Sequence, residues 1–211
     1  MKTLIVHYLP TGADSHTRQL LKLFEEVAPT GEREVLDLLE TPAPTFGRAS
    51  MAAYLKRNYR HEPLTEAEAA LFAPQDALIA QLKAADVLVM AYPMHNFSLP
   101  APVKAYIDAI MFIGETFDWT PAGPAPVMQH LRALTLYTSG LELGTGPMHE
   151  FPNWDGVHAL SRILFEFMGF SAWESIGVSL RDPQTRPAKL AEVRRRLEGL
   201  VHQWYPSTCA V

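Results

Sequence analysis

Cysteine is almost missing from this chain: among 211 residues there is one, Cys209. A lone thiol closes no internal disulfide, and a zinc site built on several thiolates is excluded with it. Such sparing use of cysteine fits a reducing compartment, so a cytoplasmic location is expected. Long apolar runs are missing as well. Leu4-Ile5-Val6 stops at His7, well short of the core of a secretory signal, and nowhere do about 18 apolar residues follow one another. Neither export nor a membrane span is expected. A surplus of positive charge is the third absence: 18 Lys and Arg stand against 23 Asp and Glu, for a net charge of −5 and a pI near 5.9. No nucleic-acid partner is expected from that balance. The histidines, His149 and His158 among them, show no metal-ligand spacing, so no metal is expected. Finally, no G-x-G-x-x-G follows the first apolar run and no G-x-x-x-x-G-K-[ST] occurs, which leaves a monophosphate as the best-matched anion.

What is present is ample core material. Apolar residues make up 48% and charged residues 19%, the composition of a packed globule. The length predicts one domain over 1–211, carrying an insertion at about 40–73. Strands are predicted at the start (residues 2–8), at 34–38, at 86–92, at 134–138 and at 176–180. Asp86-Val87-Leu88-Val89-Met90-Ala91-Tyr92 hardly alternates, as befits a central strand covered on both faces. Helices lie between them. Leu20, Leu23, Phe24 and Val27 recur at helical spacing, as do Val103, Ile107, Ile110 and Met111, then residues 160–168 and the stripe from Leu190 to Trp204. Strands alternating with helices predict an α/β doubly wound five-stranded parallel sheet in a three-layer sandwich. Residues 40–73 break that alternation. Arg48, Lys56, Arg57, Arg60 and His61 gather there beside Tyr54 and Tyr59, either as a solvated basic helix or as a flap or dimer arm.

In such a sheet, ligands bind beyond the carboxyl ends of the strands where the strand order reverses. The loop after the first strand ends in Asp14-Ser15-His16-Thr17, hydroxyls at a helix start. That pattern suits an anion at the helix N-terminus, and it equally suits an ordinary N-cap. The loop after the central strand, Pro93-Met94-His95-Asn96-Phe97, offers apolar surface with a few polar groups, the mixture a large flat ligand needs. Turn formation and packing are the alternative reading. The loop after the fourth strand, Ser139-Gly140-Leu141-Glu142, runs on into Gly144-Thr145-Gly146-Pro147 and the aromatic Phe151 and Trp154.

The run Pro93-Met94-His95-Asn96-Phe97, with Pro102-Val103-Lys104-Ala105-Tyr106-Ile107-Asp108 and Gly114-Glu115-Thr116-Phe117 after it, resembles the FMN-dependent NADH azoreductase and NAD(P)H quinone oxidoreductase family. The resemblance implies a flavodoxin-like fold and FMN as cofactor. It also implies two-electron transfer from NADH or NADPH to quinones or azo compounds by a ping-pong mechanism, in a homodimer with sites at the interface. On this chain it implies a phosphate loop at Ser15, His16 and Thr17, a ring loop at Pro93, Met94, His95, Asn96 and Phe97, and a third loop at Ser139, Gly140, Leu141 and Glu142. His95 is the candidate catalytic residue, as a proton donor beside the ring. The chain departs from the family pattern at His95, where an aromatic is usual, at Leu141 and Glu142, where glycine is usual, and at Leu9, which stands at a frequent serine position. A flavodoxin-type electron carrier and a non-catalytic regulatory binding protein of the same fold are the alternatives.

Overall fold

The computed structural model describes residues 1–143 and 154–205. Gly144, Thr145, Gly146, Pro147, His149, Phe151 and Cys209, singled out above, lie outside the described residues.

Five parallel strands form the main sheet: β1 (Lys2–His7), β2 (Glu32–Asp37), β3 (Val87–Pro93), and, after a small hairpin of β4 (Phe117–Thr120) and β5 (Gly123–Pro126), β6 (Arg132–Thr138) and β7 (Ala172–Val178). Their order is β2-β1-β3-β6-β7. The order reverses between β1 and β3, so the switch point lies at the loops following those two strands. Flanking helices are α1 (His16–Val27), α4 (Ala73–Lys83), α5 (Ala101–Ile110), α6 (Gly156–Met168) and α7 (Arg186–Trp204), with the short α2 (Arg48–Tyr54) and α3 (Glu66–Ala70) between β2 and α4.

Side-chain alternation along each strand sorts the interior into two layers. Ile5, Val87, Val89, Ala91, Leu134 and Leu136 face α1 and α7, meeting Leu20, Phe24, Val193 and Leu197. Leu4, Val6, Leu88, Met90, Tyr92 and Tyr137 face the other way, against Ile79 and Leu82 of α4, Val103 and Ile107 of α5, and Val157 and Phe165 of α6. This is the flavodoxin-like, doubly wound three-layer arrangement expected from the sequence. β3 is buried from Val87 to Tyr92, in keeping with its unbroken apolar run.

Three differences from expectation have physical causes. β7 spans residues 172–178 rather than 176–180, because as an edge strand it carries half-buried Trp173 and Glu174 that do not read as a core strand. α4 has a narrow apolar stripe and opens on Pro74, which suits the first turn of a helix but masks it in the sequence. The β4–β5 hairpin holds Pro124 and Pro126, tolerated because it forms a separate two-stranded sheet and not an interior strand.

The basic segment is folded onto the rest of the chain. Tyr54 and Phe46 pack on Phe112, with ring centroids 4.9 and 5.6 Å away. The Arg57 guanidinium sits 4.5 Å over the Phe72 ring and donates to Asp76 at 2.9 Å, while Lys56 pairs with Glu68 at 2.7 Å. Hydrogen bonds from Lys56, then from Thr65, push the Glu68 carboxyl down to about 2. Lys56 is thus committed inside the segment, and Arg57 ties it to α4.

Candidate functional site

Loop one begins with Tyr8, and Ser15 closes it as the N-cap of α1. The Ser15 hydroxyl oxygen accepts from the Arg18 N–H at 3.2 Å, and the residue is buried. A hydroxyl used as an acceptor keeps its own proton for donation, so a cap and an anion contact are compatible here. His16 and Thr17 supply the first N–H groups of the helix, which need partners outside it. The Arg18 guanidinium lies over this loop, its Nε donating to Gly12 O at 3.0 Å. Leu9 is 2% exposed and belongs to the core, so it brings no polar group to the loop.

The loop after β3 is a tight turn. His95 N–H donates to Ser98 O at 3.0 Å and Ser98 N–H returns to His95 O at 2.9 Å, while Asn96 and Phe97 between them have φ of 47° and 66°. Positive φ at both central residues marks a mirror-image hairpin turn, suited to asparagine but strained for phenylalanine, at about 1–2 kcal/mol. Phe97 is 46% exposed, and its backbone is what the next helix start abuts. A Cβ on Gly156, the first residue of α6, would come within 2.1 Å of Phe97 O, so only glycine lets the helix start sit against the turn. Phe97 also meets the Trp154 ring at 5.1 Å. His95 is exposed, edge-on to Tyr8 at 5.9 Å.

The loop after β6 joins the other two at Thr138. Met94 N–H donates to Thr138 O at 2.8 Å, and the Thr138 hydroxyl is 2.7 Å from that of Thr17. Both threonines are buried, at 8% and 1% exposure. Met94, Asn96, Phe97, Ser139, Gly140 and Leu141 line a cavity of about 190 Å³. Six of the residues singled out in the sequence therefore share one wall. Glu142 lies outside it, drawn into an ion pair with Lys189 of α7. It lines a neighbouring cavity of about 120 Å³ with Tyr137, Asp155 and Ser179. Ser15, His16, Thr17 and His95 do not line the main cavity, and Pro93 is half-buried at the end of β3. No residue of 40–73 lines it either; that segment borders a separate cleft of about 500 Å³ against α5.

Further residues shape the site. Thr138 looked like a strand end, and only the fold makes it the meeting point of three loops. Asp155 caps α6 by accepting from His158 N–H at 3.0 Å, and it also accepts from the Tyr137 hydroxyl. An acid directly before an apolar helical stripe is a helix-start signal that could have identified it. Thr116, part of the Gly-Glu-Thr-Phe motif, is fully buried and donates to Ile110 O at 2.7 Å, tying off the end of α5. His158 is held by Ser175 at 2.5 Å, and among the described residues no cluster could hold a metal ion. Also among them, no helix is long and apolar enough to cross a membrane.

Comparison with known proteins bears on the fold and the family. The family described as having a flavodoxin-like fold matches residues 1–201. An FMN-dependent NADH:quinone oxidoreductase 2 of Pseudomonas putida is 33% identical over 156 residues, covering 72% of this chain and 77% of that protein. An FMN-dependent NADH:quinone oxidoreductase 1 of Lactiplantibacillus plantarum is 31% identical over 182 residues, covering 83% and 84%. Among solved structures, an FMN-dependent NADH-azoreductase from Bacillus anthracis in complex with FMN superposes with a TM-score of 0.80 at 24% identity, covering 95% of this chain and 99% of that one, which bears on the fold. The profile match over nearly the whole chain and these sequence relatives make the protein a member of the flavodoxin-like family that includes the FMN-dependent NADH:quinone oxidoreductases.

Proposed function

We propose that this chain is an FMN-dependent oxidoreductase that passes two electrons from NADH to quinones or azo compounds in a ping-pong sequence. The observation that carries the proposal is the convergence at Thr138 of a helix N-terminus, a strained turn and an open glycine-bearing loop. The residues fit the cofactor. A Cβ on Gly140 would meet no atom within 4 Å, so that side of the third loop is open to a flat ligand, and the Glu142 carboxylate is tied to Lys189. Leucine and glutamate at 141 and 142 are therefore compatible with a ring site.

In this reading Ser15, His16 and Thr17 hold the phosphate through helix N–H groups and the Ser15 proton. Pro93, Met94, Asn96, Phe97, Ser139, Gly140 and Leu141 hold the ring, with Glu142 at its margin. When bound, FMN supplies the redox chemistry, accepting two electrons from NADH and yielding them to the acceptor. The Ser139 N–H is taken by Val178 O at 3.2 Å, so the backbone N–H of Gly140 is the group of this loop that would favour negative charge on the ring. His95, exposed beside Tyr8, carries a proton on a ring nitrogen for the acceptor as it is reduced. Phe97, against whose ring Trp154 packs, forms the apolar part of this wall with Met94 and Leu141.

Two copies are proposed to associate. Support comes from Met51, Leu55 and Tyr59, which are 41%, 39% and 54% exposed on the segment beside the 500 Å³ cleft. Cytoplasmic residence completes the proposal, supported by the single cysteine and a nucleotide donor.

The test is direct. Purified protein titrated with FMN should quench flavin fluorescence at micromolar concentrations. The complex should then oxidise NADH, in preference or equally to NADPH, only when menadione or an azo dye is added, with parallel double-reciprocal plots. Absence of FMN binding removes the reading. Binding without turnover leaves an electron carrier, and a monomer in light scattering removes the dimer.

A further inference from the structure

We propose that Tyr137 and Asp155 are positioning residues for the turn of residues 95–98. Their hydrogen bond fixes the first turn of α6, and that helix start holds the strained turn that forms the ring wall. This inference rests on the flavin reading above.

The connection runs through contacts of short reach. Tyr137, 3% exposed, occupies β6 directly opposite Gly177 of β7. A Cβ on Gly177 would fall 2.1 Å from Tyr137 Cζ and 2.3 Å from its hydroxyl, so the ring lies flat across the edge strand in space that only glycine leaves. From there the hydroxyl donates to Asp155 Oδ2, while Asp155 Oδ1 accepts from His158 N–H. One carboxylate thus joins the sheet to the helix N-terminus through both of its oxygens. The next residue, Gly156, is the one whose Cα abuts Phe97 O, and the residue before, Trp154, touches the Phe97 ring. Phe97 is held at a positive φ from two sides. A second polar anchor, Ser161 donating to Thr135 at 3.2 Å, fixes α6 further along the same face of the sheet. The helix start is thereby defined to the precision that a turn with a strained phenylalanine needs.

Burial, and then the Asp155 carboxylate, raise the Tyr137 hydroxyl above its ordinary range, so it stays protonated and able to donate at all working pH values. Neither Tyr137 nor Asp155 lines the 190 Å³ cavity. Both act on it through Gly156 and Phe97.

The experiment uses the full chain loaded with FMN and compares Tyr137→Phe, which keeps the ring, with Asp155→Asn, which keeps a capping oxygen. Gly156→Ala is the third arm, pressing on the Phe97 carbonyl without touching the tyrosine–carboxylate bond. Readouts are the FMN dissociation constant, the visible circular dichroism of bound flavin, the KM and kcat for menadione, and the urea midpoint. All three variants should weaken FMN by about tenfold, the scale on which one charge-assisted hydrogen bond alters an equilibrium. They should share one altered dichroism band and raise KM more than they lower kcat. Folded variants with a lower urea midpoint but an unchanged dissociation constant, band and KM would overturn the inference, since Tyr137 would then serve stability alone. Failure of both Tyr137→Phe and Asp155→Asn to fold would overturn it equally. If the unaltered protein takes up no FMN, the flavin reading falls first and takes this inference with it, an outcome distinct from unchanged variants of a protein that does bind.

Discussion

The Thr17–Thr138 contact allows the joining of the loops to be measured in free energy. The two hydroxyls are 2.7 Å apart, with Thr17 1% and Thr138 8% exposed. Replacing one threonine by valine keeps the shape and removes one partner. A buried polar atom left alone costs about 1–3 kcal/mol, more when no water can reach it. Thr17→Val strands the hydroxyl of Thr138, which keeps some access to solvent, so a loss of about 1–2 kcal/mol is expected. Thr138→Val strands the drier Thr17 hydroxyl and belongs in the upper part of the range, about 2–3 kcal/mol. The double variant removes both polar atoms together. It should be no worse than the milder single variant, giving a coupling energy at least as large as the Thr138→Val loss, about 2–3 kcal/mol. Urea unfolding followed by tryptophan fluorescence measures all four proteins, with melting temperatures moving by about 2–4 °C per kcal/mol for a chain of this size. Additive losses, or Thr17→Val costing more than Thr138→Val, would show that the two hydroxyls do not depend on each other, and the loop junction would have to be rebuilt on backbone contacts alone.

Gly177→Ala places a methyl against the Tyr137 ring, and overpacking there should lower the urea midpoint by the equivalent of about 1–3 kcal/mol. Ser15→Ala removes the acceptor for Arg18 N–H; calorimetry should find about 0.5–2 kcal/mol lost, and FMN titration a weaker complex, whereas unchanged affinity would take Ser15 out of the phosphate loop. His95→Gln should lower kcat for menadione by about 10²-fold with FMN affinity retained, and an unaltered kcat would relieve His95 of proton delivery. His7 gives a pH dependence. Burial, opposed by Asp37 and joined by Arg18, lowers its pKa from 6.5, with Glu25 also facing it. The unfolded chain therefore binds the extra proton first, and stability should fall as pH drops below about 6.5 toward the lower folded value. In urea titrations at pH 5.5 and 7.5, His7→Gln should flatten that slope, and an undiminished slope would assign it to other groups.

Legibility differed between elements for definite reasons. β3 could be read because both of its faces are covered and every residue from Val87 to Tyr92 is apolar. α1 could be read because Leu20 and Phe24 repeat on a single buried face. β7 was displaced by four residues at its start, since an edge strand mixes Trp173 and Glu174 into its pattern. The β4–β5 hairpin was hidden by its prolines. In the site, Met94, Asn96, Phe97, Ser139, Gly140 and Leu141 were legible as loop residues beyond strand ends, and the fold gathers them around one cavity. Thr138, Asp155 and Gly156 were not, because their roles arise from partners 121, 18 and 59 positions away in Thr17, Tyr137 and Phe97.

Local pattern by itself determined the alternation of strands and helices, the burial of the central strand and the absence of thiolate metal chemistry, since these depend on residue type and on periods of two and 3.6. Only the tertiary structure decided which loops meet, that Glu142 turns toward Lys189, and that a phenylalanine is held at positive φ by a glycine from another helix. Those outcomes depend on distances between segments remote in the chain, which chain closure and packing set and which no short window of sequence contains.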